Sequence, residues 1–170
     1  TGTLICTGEN FISSPIAGGT VTLNSGGTLS IQSINGIATG GVNGNIRSTN
    51  FVYNAGGNFI YSGVSNQNTG DSLPLTLTSP SILTIANTGV AGNNIVTLTT
   101  NNTTTPRINL NAGQFNAGTG GTLIIGGGTN IVSGGGGNQL LSGAATDNII
   151  RFASNGAVQG TPELYNVTIG

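Results

Sequence analysis

The sequence predicts an all-β protein, a parallel β-helix (β-solenoid) of roughly eight coils with Gly/Asn-rich corners. Three observations predict it. First, one phrase recurs: an alternating Thr/aliphatic run, a small-residue corner, then a second alternating run. It reads Thr20-Val21-Thr22-Leu23 into Thr28-Leu29-Ser30-Ile31, Leu75-Thr76-Leu77-Thr78 into Ile82-Leu83-Thr84-Ile85, and Ile95-Val96-Thr97-Leu98-Thr99 into Arg107-Ile108-Asn109-Leu110. Second, no segment holds an apolar 3.6-residue period over three turns, so helices are not expected. Third, Gly-Gly, Asn-Gly, Ser-Gly or Pro punctuates almost every gap between the runs, as the turns between short strands require.

In chain order the expected strands are Thr3–Thr7, Thr20–Leu23, Thr28–Ile31, Asn50–Tyr53, Asn58–Tyr61, Leu73–Thr78 and Ile82–Ile85. They continue with Asn94–Thr99, Arg107–Leu110, Thr122–Ile125, Asn130–Val132, Gln139–Leu141, Asn148–Phe152 and Leu164–Ile169. A sandwich and a solenoid both use period-2 alternation, and the repeat decides between them. Sandwich strands each meet a distinct neighbour, whereas these phrases have nearly interchangeable composition, as stacked coils would. With about 20 residues per coil and about 4.8 Å between stacked strands, residues 1–170 form a single segment of roughly eight rungs, about 40 Å long. Its terminal rungs carry no charged or Pro-rich cap, and the last run stops in mid-pattern. Further coils, or a neighbouring copy, are therefore expected to continue the stack.

Composition agrees with a thin aliphatic core. Hydrophobic residues make up 35% and aromatics 5% of the chain, Trp and Met are absent, and there are 31 glycines. Only 4% of residues are charged, so solubility rests on Asn, Thr, Ser and Gln, which in a stacked sheet can form ladders of like side chains. Disorder is excluded because β-branched residues are dense and charge is nearly nil. A net charge of −1, with Arg47, Arg107 and Arg151 as the sole cations, cannot neutralise a run of phosphates, which excludes nucleic acid. The apolar runs fall far short of the roughly 20 residues of a membrane-spanning helix. No signal peptide is legible, as expected of a piece of a processed chain.

Chemistry-bearing residues are few. Cys6 is the one cysteine, which rules out an internal disulfide and a thiolate zinc site; it is expected to be a small buried hydrophobe, with an intermolecular disulfide as the alternative. Glu9, Asp71, Asp147 and Glu163 are the only carboxylates, and no His or Lys accompanies them. A polysaccharide-active β-helix enzyme could be built from two of these acids on adjacent coils, but turn positions bonding nearby amides are the expected role of Asp71 and Asp147. The runs Gly126–Asn130 and Gly134–Asn138 lack the Lys of a phosphate loop and the Asp of calcium-binding repeats, and read as tight corners. No cofactor or metal is expected.

The pairs Thr20/Thr22, Thr76/Thr78 and Thr97/Thr99 each share a strand face. Stacked, they would form a flat threonine array of the kind ice-binding solenoids use. The simpler expectation is that they coat the solvent side while Val21, Leu77 and Leu98 point inward. Asn101-Asn102-Thr103-Thr104 and Asn166-Val167-Thr168 match the N-glycosylation sequon, a match that chance supplies in so Asn- and Thr-rich a chain.

The stretch Gly27 to Pro74 reads Gly-Thr-Leu-Ser-Ile, Asn35-Gly36-Ile37, Gly44-Asn45-Ile46, then Ala55-Gly56-Gly57-Asn58-Phe59-Ile60-Tyr61-Ser62-Gly63, and closes on Gln67-Asn68-Thr69-Gly70-Asp71-Ser72-Leu73-Pro74. It resembles a repeat of very large secreted surface proteins of Bacteroidetes-type bacteria, in which a Gly-rich Asn-Tyr-x-Tyr-x-Gly phrase precedes Gln-x-Thr-Gly-x-x-Leu-Pro. Pro162-Glu163-Leu164-Tyr165-Asn166-Val167-Thr168-Ile169 is similar to the Leu-Tyr-Asn-Leu-Thr-Ile phrase that opens the next unit there. The phrases cover about half the chain. Phe59 and Ile60 depart from the usual aromatics, and Gly113 to Gly143 is richer in glycine than the pattern.

The resemblance implies export by the type IX route through outer-membrane secretion machinery, a sorting domain elsewhere in the parent protein, and a stalk used as an adhesin or surface filament. It also implies Ser72, following Asp71, as a site of O-glycosylation. The expected function is thus a non-catalytic extracellular stalk of a bacterial surface protein, secreted and held at the cell surface. Its expected partners are further copies or coils of the same protein and surface glycans. The alternatives are a self-assembling filament subunit, then the ice-binding solenoid and the polysaccharide-active enzyme.

Overall fold

A computed structural model describes residues 2–10, 12–13, 19–39, 43–100, 103–118, 122–126, 130–134, 139–141, 149–153, 157–160, 163–164 and 167–169. Among them there is no helix, and every strand pairing is parallel. The strands are β1 (Thr3–Cys6), β2 (Ile12–Ser13), β3 (Thr20–Leu23), β4 (Thr28–Ile31), β5 (Ile37–Thr39), β6 (Ile46–Ser48) and β7 (Asn50–Tyr53). Next come β8 (Asn58–Tyr61), β9 (Gln67–Asn68), β10 (Leu83–Ala86), β11 (Ile95–Thr97), β12 (Thr104–Thr105), β13 (Ile108–Ala112) and β14 (Gln114–Asn116). The last are β15 (Thr122–Ile125), β16 (Asn130–Gly134), β17 (Gln139–Leu141), β18 (Ile149–Phe152), β19 (Ala157–Gly160), β20 (Glu163–Leu164) and β21 (Val167–Ile169).

These strands fall into three runs. The first is a seven-stranded sheet in the order β1-β4-β8-β10-β13-β16-β19. The second begins with β2-β6-β5 and passes, through a bridge between Ile37 and Gly70, to the sheet β9-β11-β14-β17-β20. The third begins with β3-β7; the Gly56 N–H donates to the Thr78 carbonyl, and a bridge from Thr76 to Thr104 leads into β12-β15-β18-β21. The chain visits the runs in turn, except that β5 and β6 follow one another within the second run and pair with each other. Side chains that alternate in and out, as in the buried Phe59 and Tyr61 of β8 or Leu123 and Ile125 of β15, send their apolar members to one shared core.

Along the first run, Leu4, Leu29, Phe59, Leu83, Ile108, Val132 and Val158 are successive register partners, 24 to 30 residues apart. The spacing exceeds the expected 20 or so, because each circuit meets three sheets and three corners rather than two strands and one corner. Seven levels result rather than eight, about 30 Å from first to last. The repeated phrase is correspondingly not one structural unit. Thr20–Leu23 to Thr28–Ile31 steps from the third run to the first, whereas Ile95–Thr99 to Arg107–Leu110 starts on the second run and crosses β12 on the way.

Most expected strands are present, and Leu73–Thr78 is the exception. Its ladder contacts are the bridge at Thr76 and the Thr78 carbonyl, which accepts from the Gly56 N–H (3.3 Å); Pro74 within the stretch and Pro80 just beyond it have no N–H to give. Leu164–Ile169 divides between β20 and β21. The shortest strands, β2, β9, β12 and β20, hold two residues each, too few for any alternation to be legible.

Where the second run changes sheets, levels come close together. Gly70 has φ +85° and pairs with Ile37 so tightly that a Cβ would overlap the Ile37 carbonyl oxygen. Only glycine satisfies both conditions there.

Candidate functional site

Two kinds of polar site emerge from the geometry, and both face other levels of the stack. Glu9 accepts from the Ser33 hydroxyl (2.6 Å) and the Ile34 N–H (3.0 Å). Asp71 Oδ1 accepts from the Thr39 N–H (2.7 Å) and the Ser72 hydroxyl (2.8 Å). Each carboxylate clasps a segment more than 20 residues away; Asp71 sits in a turn, as expected, but the amide it bonds is that of the distant Thr39. Asp147 lies outside the described residues, and of Glu163 only its place in β20 is described. Among the described residues no three His, Cys, Asp or Glu gather as a metal site.

Ser72 is half-buried. Its hydroxyl bonds Thr39 Oγ1 as well as Asp71, its N–H donates to the Ile37 carbonyl (3.3 Å), and its carbonyl accepts from the Tyr53 phenol (2.9 Å). Burial, reinforced by the Asp71 charge, pushes that phenol well up. The ring of Tyr53 stacks on Phe51 and meets Phe59 edge-on, at centroid separations of 5.7 and 5.3 Å.

The six threonines do not converge on one sheet. Thr20 and Thr22 are exposed on β3, where their strand neighbours are Asn50 and Val52 rather than threonines. Thr76 bridges to β12 in the third run and Thr78 follows it, both exposed. Thr97 belongs to the second run, paired with Asn68 and Asn116, and the Thr99 hydroxyl bonds Thr69 Oγ1 (3.1 Å) and the Gly70 carbonyl (2.7 Å). Leu77 and Leu98 are buried and Val21 is half-buried. The sequon residues Asn101, Asn102 and Asn166, like Gly127, Gly128 and Gly135 to Gly137, lie outside the described residues.

Sequence reasoning missed a column of buried amides at the corner that follows the first run. Asn45 Oδ1 accepts from the N–H groups of Gln32 (2.7 Å) and Ser33 (2.6 Å), while its Nδ2 donates to the carbonyls of Gly8 (2.9 Å) and Asn10. Gln67 Nε2 donates to the carbonyls of Ile31 and Ser33 (both 3.1 Å), and its Oε1 accepts from the Gly63 N–H (2.8 Å) and Asn87 Nδ2 (3.1 Å). Asn87 also donates to the Ser65 carbonyl (2.6 Å). In sequence Asn45 follows Asn43-Gly44, Gln67 lies between Asn66 and Asn68, and Asn87 directly follows Ala86 of β10, so each looks like any turn residue. Ladders of like side chains also occur: Asn54 donates to Asn24 (3.1 Å), and Ser30 pairs with Ser62 (2.9 Å).

Apolar side chains are also exposed along β1 and β2. In the row that starts at Leu4, every described partner from Leu29 to Val132 is at most 3% exposed, yet Leu4 itself is 41% exposed. Ile12 is 39% exposed beside Ile46 at 0%, and Ile5 is 59% exposed. Ile5, Cys6, Thr7, Asn10 and Ile12 line a shallow hollow of about 110 Å³ here. Cys6 is buried at its edge, where desolvation pushes the thiol up and keeps it from the reactive thiolate form. No protein-family model, curated protein or solved structure matches the chain.

Proposed function

We propose that this chain is a length of parallel β-solenoid and serves as the non-catalytic structural or adhesive stalk of a bacterial surface protein, secreted and displayed outside the cell. The observation that carries the reading is the path of the backbone. It passes repeatedly among three parallel runs of strands, around one hydrophobic cluster that reaches from Cys6 to Phe152. A winding of seven circuits accounts for that path. Such a winding is stiff, since each level is tied to the next by strand ladders and by amide and hydroxyl side chains. Any adhesion would use the polar outer face, with many weak contacts to surface glycans repeated along the rod.

The resemblance in Gly27 to Pro74 and Pro162 to Ile169 supports the extracellular placement and type IX export. The engagement of Glu9 and Asp71 in clasps between levels favours a structural role over a catalytic one. Protease treatment of intact producing cells, followed by immunodetection of this segment, tests the proposal. Loss of the segment without lysis is expected; full protection until lysis overturns it. Release of reducing sugar ends from plant or algal polysaccharides by the purified chain would overturn the non-catalytic role.

A further inference from the structure

We propose that β5 and β6 act as a wedge: a second lap of the second run that parts two levels of the stack on that side and tilts them, with Glu9 and Asn45 filling the opening at the adjoining corner. The inference rests on the strand pairings and not on the extracellular role, so either can fail alone. Among the described residues the first run holds β4 between β1 and β8, whereas the second holds both β6 and β5 between β2 and the bridge at Gly70.

Two neighbouring levels can be followed as they diverge. Cys6 and Ile31 are direct register partners. Six residues further along each level stand Ile12 and Ile37, and there Ile46 pairs with both and lies between them. Beyond the wedge the parting closes, and β3 and β7 are direct partners again. At about 4.8 Å per strand and about 10 Å between packed sheets, an extra strand on one side tilts the levels by about 25°. β5 and β6 carry one pattern, Ile37-Ala38-Thr39 and Ile46-Arg47-Ser48, in register nine residues apart. Ile37 and Ile46 are both fully buried, so either strand could serve a level that makes a single lap.

Where the levels part, side chains take over from the backbone ladder. In the first run the Thr28 N–H donates straight to the Gly2 carbonyl (3.0 Å). At the corner, the N–H groups of Gln32 and Ser33 and the carbonyls of Gly8 and Asn10 meet opposite ends of the Asn45 side chain instead. That amide stands in for one peptide unit of an interposed strand. Around it the Gly8 N–H donates to Gln32 Oε1 (2.8 Å), and Glu9 spans to the Ser33 hydroxyl and the Ile34 N–H. The backbone of Asn45 then opens the full strand: its N–H donates to the Gly36 carbonyl (2.9 Å) and its carbonyl accepts from the Ile12 N–H (2.7 Å).

Two deletions test the wedge. Removing residues 37–45 keeps β6, and removing residues 40–48 keeps β5; each takes out one nine-residue lap, Asn45 included. Both chains are expected to fold, with the circular dichroism of the parent and a single urea transition. With the levels closed, Glu9 has no opening to span. Glu9→Ala should therefore lower the folding equilibrium constant of the parent about five- to tenfold, and that of either deletion by less than about twofold. Residual dipolar couplings read the direction of N–H bonds, which lie along the stack in parallel strands. They should show β1 and β3 tilted against β8 and β10 in the parent, and a smaller tilt in the deletions. Failure of both deletions to fold overturns the proposal. So does a Glu9→Ala effect of equal size in the parent and a folded deletion, or a tilt that deletion leaves unchanged.

Discussion

Replacing Asn45 by aspartate exchanges one NH2 for one oxygen at nearly constant shape, and the surroundings make that exchange costly. Asn45 is fully buried. Two backbone donors, from Gln32 and Ser33, face one side of its amide, and two carbonyls, from Gly8 and Asn10, face the other, which fixes which atom is the nitrogen. In Asn45→Asp the new oxygen looks at two carbonyl oxygens, so two hydrogen bonds become two repulsive contacts beside a buried charge. With about 1 kcal/mol for each lost bond and ~1–3 kcal/mol for a carbonyl left unsatisfied, the penalty at neutral pH is about 3–5 kcal/mol. That is a large fraction of the ~5–15 kcal/mol by which a domain is usually stable. Protonating the introduced carboxyl restores one donor, so its pKa in the folded state lies above the ~3.9 of the unfolded chain. Between those two values the folded state binds more protons, and stability rises as pH falls, by up to ~1.4 kcal/mol per pH unit. Urea unfolding of both proteins at pH 7.5 and 4.5 measures it. Agreement of N45D with the parent to within about 1 kcal/mol at pH 7.5, or a penalty equal at the two pH values, would refute the reasoning.

Gly70→Ala should lower stability by more than the ~1 kcal/mol that positive φ alone costs, because the added Cβ also overlaps the Ile37 carbonyl; the urea midpoint reads the change. Tyr53 and Tyr61 both have phenols pushed up, mainly by burial, and Tyr61 donates to the Thr69 carbonyl (2.8 Å). Their contribution is complete below the unfolded pKa of ~10 and is lost as pH rises above it, at ~1.4 kcal/mol per pH unit for each. Phenolate absorbance should therefore appear for these two only together with unfolding. For Ser72, intact-mass measurement of native material should show added hexose, and the unmodified mass would remove it as a glycosylation site.

The sheet class was legible because apolar alternation and turn residues are local signals. Thr28–Ile31, Asn58–Tyr61 and Thr122–Ile125 carry both and are strands with the expected bounds. The length of a circuit was not legible. It depends on elements such as Gln114–Asn116, where Phe115 is the one inward residue and two polar neighbours hide it. The amide column was hidden for a related reason: beside the local bonds from Gly63 to Gln67 and from Gly89 to Asn87, the contacts that build the column join residues 12 to 37 apart. Cys6 was read correctly as a small buried side chain, since its neighbours Leu4 and Ile5 already define a strand.

Register partners separated by 24 to 30 residues have a mechanical corollary. In the solenoid proposed above, tension along the chain would strip the winding one turn after another, because a freed turn no longer braces the one beneath. At ~3.3–3.6 Å of contour per residue, every rupture lengthens the tether by about 80–110 Å. The proposed stalk would thus dissipate load in many small yields instead of failing at once.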